Sequence, residues 1–586
     1  MSRRAVPKAN TAARCAKGTP GRLRAGAIEL QWQDGRLIGL TAGGHVVWQA
    51  VMFLYRDPRW GTPRHVVDQV AVDDQGDGFM VQLQGSCPAV PALRWKTHVS
   101  GHVDGRIVYS VEAELQQDLL TSRTGICVLH PASAAGRTLE VEHVDGRVSR
   151  SQFPQHISPW QPFTQIRALR HRFAPGCWAQ CRFEGDDFEM EDQRNFSDAS
   201  FKTYSRSNFM PRPFRLDAGM RVRQSVTLEL EQVPRRARRV VVSSVTLAIV
   251  DVPGEDGGRL PALGLQHQLD ASAADALPDF WHQRHDLRQS GGLPVQGLFG
   301  VPVTWPPATA PMRVDLVMDD DQHAESACRA LAHACAKAGR VVAELALFPT
   351  TARSLEHARA CFPSTRVGGG TAFFFTHLNR LTLPPGLDFV TYTTCPIVHV
   401  ADDLSVMQSL GTLVTQVQTL RMRGVDGPVR VGPVGIGMAL DPFGVGVVGE
   451  SYARLAMARD DPRDRTAFGQ AWMLAYLCRM IDAGVQALTV AHAAAFRPLQ
   501  ALAGRPGCDV LALHNPYPDR LAVLALRMGS GYQVWAANLV TEPQQLALRL
   551  PGRSLTTTLL LAPHALVCRF FHEPEQQRTS SGAMLD

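Results

Sequence analysis

Between residues 312 and 514, apolar strand-like runs alternate with helix-period segments, and this pattern constrains the fold more than any other feature. MRVDLVM (312–318) precedes HAESACRALAHACAKAG (323–339), whose apolar residues recur at helical spacing and which stops at Gly339. RVVAELALF (340–348), TRVGGGTAFFFT (365–376), DFVTYTTCPIVHV (388–400), VRVGPVGIGM (429–438) and VQALTV (485–490) read as further strands. SLEHARACF (354–362), SVMQSLGTLVTQVQTLRMRG (405–424) and DRTAFGQAWMLAYLCRMIDAG (464–484) read as helices between them, and RPLQALAG (497–504) and DVLALH (509–514) close the series. Strands apolar on both faces belong to a parallel sheet covered on both sides, and this number of units suits a closed barrel. The expectation is a TIM-like (β/α)8 barrel over 240–514, weakly patterned in 263–310.

The flanks read differently. AIELQWQDGRLIGLTAGGHVVWQAVMFLY (27–55) alternates apolar and polar residues around Asp-Gly and Gly-Gly turns, and the texture persists to MRVRQSVTLELEQV (220–233). This predicts an N-terminal β-sandwich over 25–233, behind a disordered basic tail at 1–24. Pro234 to Arg239, a run rich in arginine, reads as the boundary. LAVLALRM (521–528), YQVWAANLV (532–540) and TTTLLLAPHALVCRF (556–570) predict a small C-terminal β domain over 515–575.

Composition excludes several classes. A formal net charge of +6 on 586 residues, without aromatics interleaved among basic residues, argues against nucleic acid as a partner. No run is long and apolar enough to span a bilayer, and no apolar segment follows the basic start as in a secretory signal. The 12 cysteines are scattered without metal-ligand spacing, which predicts reduced thiols, a cytoplasmic location and no bound metal. No phosphate-binding glycine loop, dinucleotide fingerprint or Gly-x-Ser-x-Gly elbow is present, so no cofactor is expected.

Barrel enzymes carry their chemistry where strands end and helices begin. That rule selects Asp319 to Asp321, His377, Asn379, Arg380, His399, Asp402, Asp403, Asp441 and His492. The acidic groups serve equally as helix caps, and capping is the commoner role. Glu344, in the middle of an apolar run, must face the barrel interior or be paired. There is no pair of glutamates at the strand ends, which counts against a retaining glycoside hydrolase. The densest polar cluster, FEMEDQRNFSDASFKTYSR (188–206), reads as a loop bringing together Glu191, Asp192, Arg194, Asn195, Lys202 and Tyr204. His130 lies nearby in GICVLHP (125–131). The cluster is either a solvated set of ion pairs or part of a site for a polar ligand.

Several of these segments resemble the D-apionate lactonase family: GICVLHP (125–131), VEHVDG (141–146), ISPWQPF (157–163), FEMEDQRNFSDASFKTY (188–204), TTCPIVHVADDLSVM (393–407), VGPVGIGM (431–438) and LAMARDDPRDRTAFGQAW (455–472). The resemblance implies a barrel enzyme with flanking β domains that hydrolyses D-apionolactone to D-apionate in apiose catabolism, with a small sugar lactone as its partner. His377 stands where the resemblance leads one to expect glutamate, and His492 stands where wider relatives carry a second one. On this reading His377, His399, Arg380 and Asp402 form the catalytic set. Asn379, His492, His130 and the 191–204 cluster hold the ligand. A glycoside hydrolase-like carbohydrate enzyme and a non-catalytic binder of sugars or sugar acids are the alternatives.

Overall fold

The computed structural model describes residues 21–233, 246–251, 256–267, 278–287, 305–308, 310–440, 454–550 and 557–572. The chain divides into two compact units, Met1–Val240 and Val241–Asp586.

The first unit is one 16-stranded, mostly antiparallel sheet that folds over its own core. Its strands show the expected period of two: Phe79–Ser86 and Leu93–Gly101 bury every second side chain. Ile28, Leu37, Trp48, Phe53, Val81, Tyr109 and Val111 pack into a common core. A buried phenol needs partners, and Tyr109 Oη has two: it accepts from Phe53 N (3.1 Å) and donates to Gly35 O (3.2 Å). Two expectations are corrected. Gly21–Ala25, assigned to the tail, is a strand paired with Ile28–Gln33. Residues 188–206 are not a loop but two strands, Phe188–Asp192 and Ser200–Ser205, joined by a short 3-10 turn at Gln193–Phe196. Both strands are buried on both faces, so the polar cluster is dry rather than solvated. The Pro234 to Arg239 boundary lies outside the described residues.

The second unit contains a closed parallel barrel of eight strands. They are β1 (Ala262–Gln266), β2 (Phe280–Asp286), β3 (Met312–Val317), β4 (Val342–Phe348), β5 (Arg366–Phe374), β6 (Val390–Thr393), β7 (Val429–Val434) and β8 (Ala487–Val490). Pairing of β8 with β1 closes the ring. The helices among the described residues are α1 (Ala324–Ala338), α2 (Ala352–Cys361), α3 (Phe375–Arg380), α4 (Asp403–Ser409), α5 (Leu413–Met422), α6 (Ala467–Asp482) and α7 (Ala493–Phe496). Ala324, Ala327, Cys328, Leu331 and Cys335 form one stripe of α1, packed with Val314, Leu316, Leu345 and Leu347 of the strands. Gly339 adopts the left-handed conformation that stops α1, and Thr351 with Ser354 forms a reciprocal cap at the start of α2.

The glycine run of β5 has a packing cause. A Cβ at Gly368 would lie 2.5 Å from the Phe389 ring, and one at Gly370, with φ of +130°, would lie 2.3 Å from Thr391 O.

Two strands within the span expected for the barrel, one of them read as closing its series, are elsewhere. Asp509–Leu511 pairs antiparallel with Asp256–Arg259 and with Leu521–Met528 in the terminal sheet, and Thr246–Asp251 pairs in parallel with Gln544–Arg549. The chain therefore contributes strands to the C-terminal β layer before it enters the barrel. No helix among the described residues is long and apolar enough to cross a membrane.

Candidate active site

The strand ends of the barrel divide the expected residues into those near the mouth and those turned elsewhere. His377 lies in the first turn of α3, half-buried, with its ring centroid 5.1 Å from that of Phe373. Burial, reinforced by the nearby Arg380 charge, lowers its pKa to about 4, so the imidazole is neutral at pH 7. A helix this short carries the next positions away from the strand end. Asn379 Oδ1 accepts from Arg423 at 3.1 Å, and Arg423 also holds the Asn379 and Leu381 carbonyls, so Asn379 ties α3 to the end of α5. Arg380 is exposed at the helix terminus. Asp402 is the N-cap of α4: its carboxylate accepts from Ser405 N (2.9 Å) and Ser405 Oγ (3.0 Å). Asn379 thus serves as a clamp, Arg380 lies at the surface and Asp402 is a helix cap. His399 lies partly buried beyond β6, in a segment held by Met457 N donating to Ile397 O at 2.8 Å.

His492 follows β8 and faces a group the sequence reading left without a role. Asp464, in the turn before α6, accepts from the backbone N–H groups of Ile436 (2.9 Å) and Gly437 (3.3 Å), just past β7. A Cβ placed on Gly435 would lie 3.4 Å from Asp464 Oδ2 and 3.5 Å from His492 Cδ2, so carboxylate and imidazole converge on one bare glycine. Burial raises the Asp464 pKa, opposed by those amides and by His492. The turn is anchored beneath: Arg463 donates to both Asp461 oxygens (2.9 and 2.7 Å) and to Asp403 Oδ1 (2.8 Å).

The barrel interior is charged. Asp315 of β3 receives Arg313 NH2 (3.1 Å) on one oxygen and Arg284 NH2 (3.1 Å) on the other, and His282 Nε2 lies 2.9 Å from the latter. Against the upward push of burial, the Arg313 and Arg284 guanidiniums hold the Asp315 carboxyl well below its usual range, whereas burial lowers His282 to about 4 and leaves it neutral. Deeper, Glu344 of β4 pairs with Arg430 (3.0 Å) and with Arg366. Glu344 is the one glutamate on a barrel strand among the described residues, and it lies toward the N-terminal end. Both halves of its expectation hold: it faces the interior and it is paired. Among the described residues no group of three or more His, Cys, Asp or Glu side chains could hold a metal ion.

In the first unit the polar cluster is neutralised pair by pair. Lys202 Nζ lies 2.6 Å from Glu191 Oε2, and Arg194 is bidentate on Asp192 (2.8 and 2.7 Å). Asn195 donates to the Ser158 and Asp192 carbonyls, and Tyr204 Oη donates to Glu189 at 2.5 Å. The Arg123 guanidinium stacks 3.5 Å above the Tyr204 ring. Burial pushes Asp198 up to about 8, against the pull of Lys202 and Arg56. His130 belongs to the opposite face: it bonds Thr203 Oγ1 at 3.0 Å and packs against His171 and Phe153 in the core. Strand alternation separates it from Lys202 and Glu191, and it is buried in the core.

A protein from Brucella anthropi named "D-apionate lactonase" is 32% identical over 581 residues, covering 90% of this chain and 94% of that relative. The chain belongs to the D-apionate lactonase family. Residues 9–233 match the family's N-terminal domain and residues 307–518 its TIM barrel domain. Solved structures similar to this family member include a beta-arabinopyranosidase (10% identity, 94% of this chain and 98% of that chain, TM-score 0.30). A GH30 endoxylanase from Clostridium papyrosolvens C71 is 9% identical, covering 56% of this chain and 100% of its own, with a TM-score of 0.35. CelM2, a bifunctional glucanase-xylanase from a metagenome library, is 9% identical, covering 56% and 99%, with a TM-score of 0.38. The barrel match of the lactonase family begins beyond β1 and β2, so His282 and Arg284 lie outside both matched segments. Asp461, Arg463 and Asp464 lie within it. Their signal was the DDPRD run of the family segment, four charged residues around one proline ahead of a strongly apolar helix.

Proposed function

We propose that this chain hydrolyses a sugar lactone, D-apionolactone to D-apionate, and that it does so in the cytoplasm. The observation that carries the reading is the full-length similarity to a relative named as a D-apionate lactonase. Opening a lactone adds water across the ester: the water oxygen bonds the carbonyl carbon, the ring C–O bond breaks, and the ring oxygen takes a proton. A base must accept the water proton, and a positioned imidazole suits that task. We assign this role to His492, with Asp464 beside it stabilising the imidazolium and fixed by the Ile436 and Gly437 amides. His399 and His377 bind hydroxyls of the ring. Hydrolysis moves no electrons, so the reading calls for no redox cofactor. The free thiols among the described cysteines suit a reducing compartment.

The test is a pH-indicator assay over four-, five- and six-carbon aldonolactones with D-apionolactone included. Acid release above the spontaneous rate, greatest for D-apionolactone, is expected. A folded protein that accelerates none of them contradicts the proposal.

A further inference from the structure

Arg284 is the most conspicuous unsatisfied group in the barrel. Its side chain is 5% exposed, and one nitrogen, NH2, donates to Asp315. Its Nε and NH1 are buried with no hydrogen-bond partner. Arginine cannot escape by deprotonating near neutral pH, so these donors stay charged and unmatched. The imbalance extends through the interior. Arg284, Arg313 and Arg430 face Asp315, Glu344 and, along β2, Asp286, and Arg366 adds a further positive charge at Glu344, four cations against three anions.

Position gives this excess a use. Along β2 the fully buried His282 is followed, at alternate positions on the same face, by Arg284, whose side chain is buried, and by the partly exposed Asp286, so the row runs from the interior toward the C-terminal end. That end of the barrel is where the chemistry belongs.

We propose that Arg284 is the anion-binding group of the barrel and that its Nε–H and NH1–H donors receive a carboxylate or its equivalent oxyanion. The ligand class is a polyhydroxylated carboxylate, the sugar acid that lactone hydrolysis releases. The same donors meet the carbonyl oxygen as it gains charge during ring opening. The inference rests on the hydrolase reading for its second half, and its first half is testable alone. Arg380 and Arg194, the arginines that the sequence reading placed at the site, are less suited to this role. The first is exposed, and the second is consumed by Asp192 and by the Pro154 and Gln155 carbonyls.

The test is equilibrium binding by calorimetry to the full chain, with sodium D-apionate and D-ribonate as ligands and ribitol as a neutral control. Wild type should bind the acids and not ribitol. Arg284→Met should lose about 100-fold in acid affinity, the value of two charge-assisted hydrogen bonds. Arg284→Lys, which keeps the charge without the fork, should recover part of it. Removing Arg284 leaves Asp315 with His282 and Arg313, and a melting temperature near that of wild type verifies that each variant is folded. Failure of wild type to bind either acid, or equal binding by Arg284→Met, overturns the proposal. Acid binding through Arg284 without lactone turnover sinks only the hydrolase reading. Turnover with acid binding untouched by Arg284→Met sinks only this one.

Discussion

Acid should weaken the N-terminal unit by an amount traceable to one imidazole. His171 is fully buried against His130 and Phe153, with ring centroids 5.4 and 5.7 Å away. Burial lowers its pKa from 6.5 to about 4. A depressed histidine pKa means the unfolded chain binds the proton more readily, so its contribution is intact above pH 6.5 and lost as pH falls toward 4. With one pKa unit equal to about 1.4 kcal/mol, the loss between pH 7.5 and pH 5.0 is about 2 kcal/mol. His171→Phe keeps an aromatic ring in the cluster and removes the titrating group. Urea unfolding at the two pH values should show the variant losing about 2 kcal/mol less than wild type on acidification, whatever its stability at pH 7.5. An identical acid loss in the two proteins would refute the reasoning, because the proton would then be taken up elsewhere.

Three further outcomes follow. His492→Ala and Asp464→Asn should each reduce kcat for lactone hydrolysis by about 100-fold or more while sugar-acid binding persists, as calorimetry beside steady-state kinetics would reveal. Glu344→Gln strands the buried Arg430 charge and should cost about 3 kcal/mol of stability, read as a fall in urea midpoint. Gly432→Ala places a Cβ 2.4 Å from Thr489 O at a φ of +130° and should lower the melting temperature by several degrees, whereas Gly427→Ala, with open space around its Cβ, should not.

The parts of this fold that were readable in the sequence are those whose burial is apolar. β4 reads as a strand because Val342, Leu345, Ala346, Leu347 and Phe348 are all buried among apolar neighbours. β2, FWHQRHD, escaped notice because its inward face carries His282, Arg284 and Asp286, and a strand with a charged interior face looks like a loop. The same physics hid the strands at 188–192 and 200–205, whose charges are buried in pairs rather than solvated. Asp509–Leu511 looks like a barrel strand locally, and only its long-range pairing with Asp256–Arg259 shows otherwise. The site was half legible. Strand-end position selected His377, His399 and His492 as candidates, but it could not tell that α3 turns Asn379 toward Arg423 or that Asp402 caps a helix. Asp464 was missed because it reaches the end of β7 from a turn in a later connection.

The central claim is that imidazole and carboxylate at the ends of β7 and β8 open a sugar lactone. Proton NMR of D-apionolactone incubated with wild type, and with the His492→Ala/Asp464→Asn double variant, tests it directly. The account requires D-apionate to accumulate far faster with wild type than in buffer, with the double variant close to the buffer rate. Equal rates for wild type and the folded double variant, or an unchanged lactone spectrum with wild type, would contradict it.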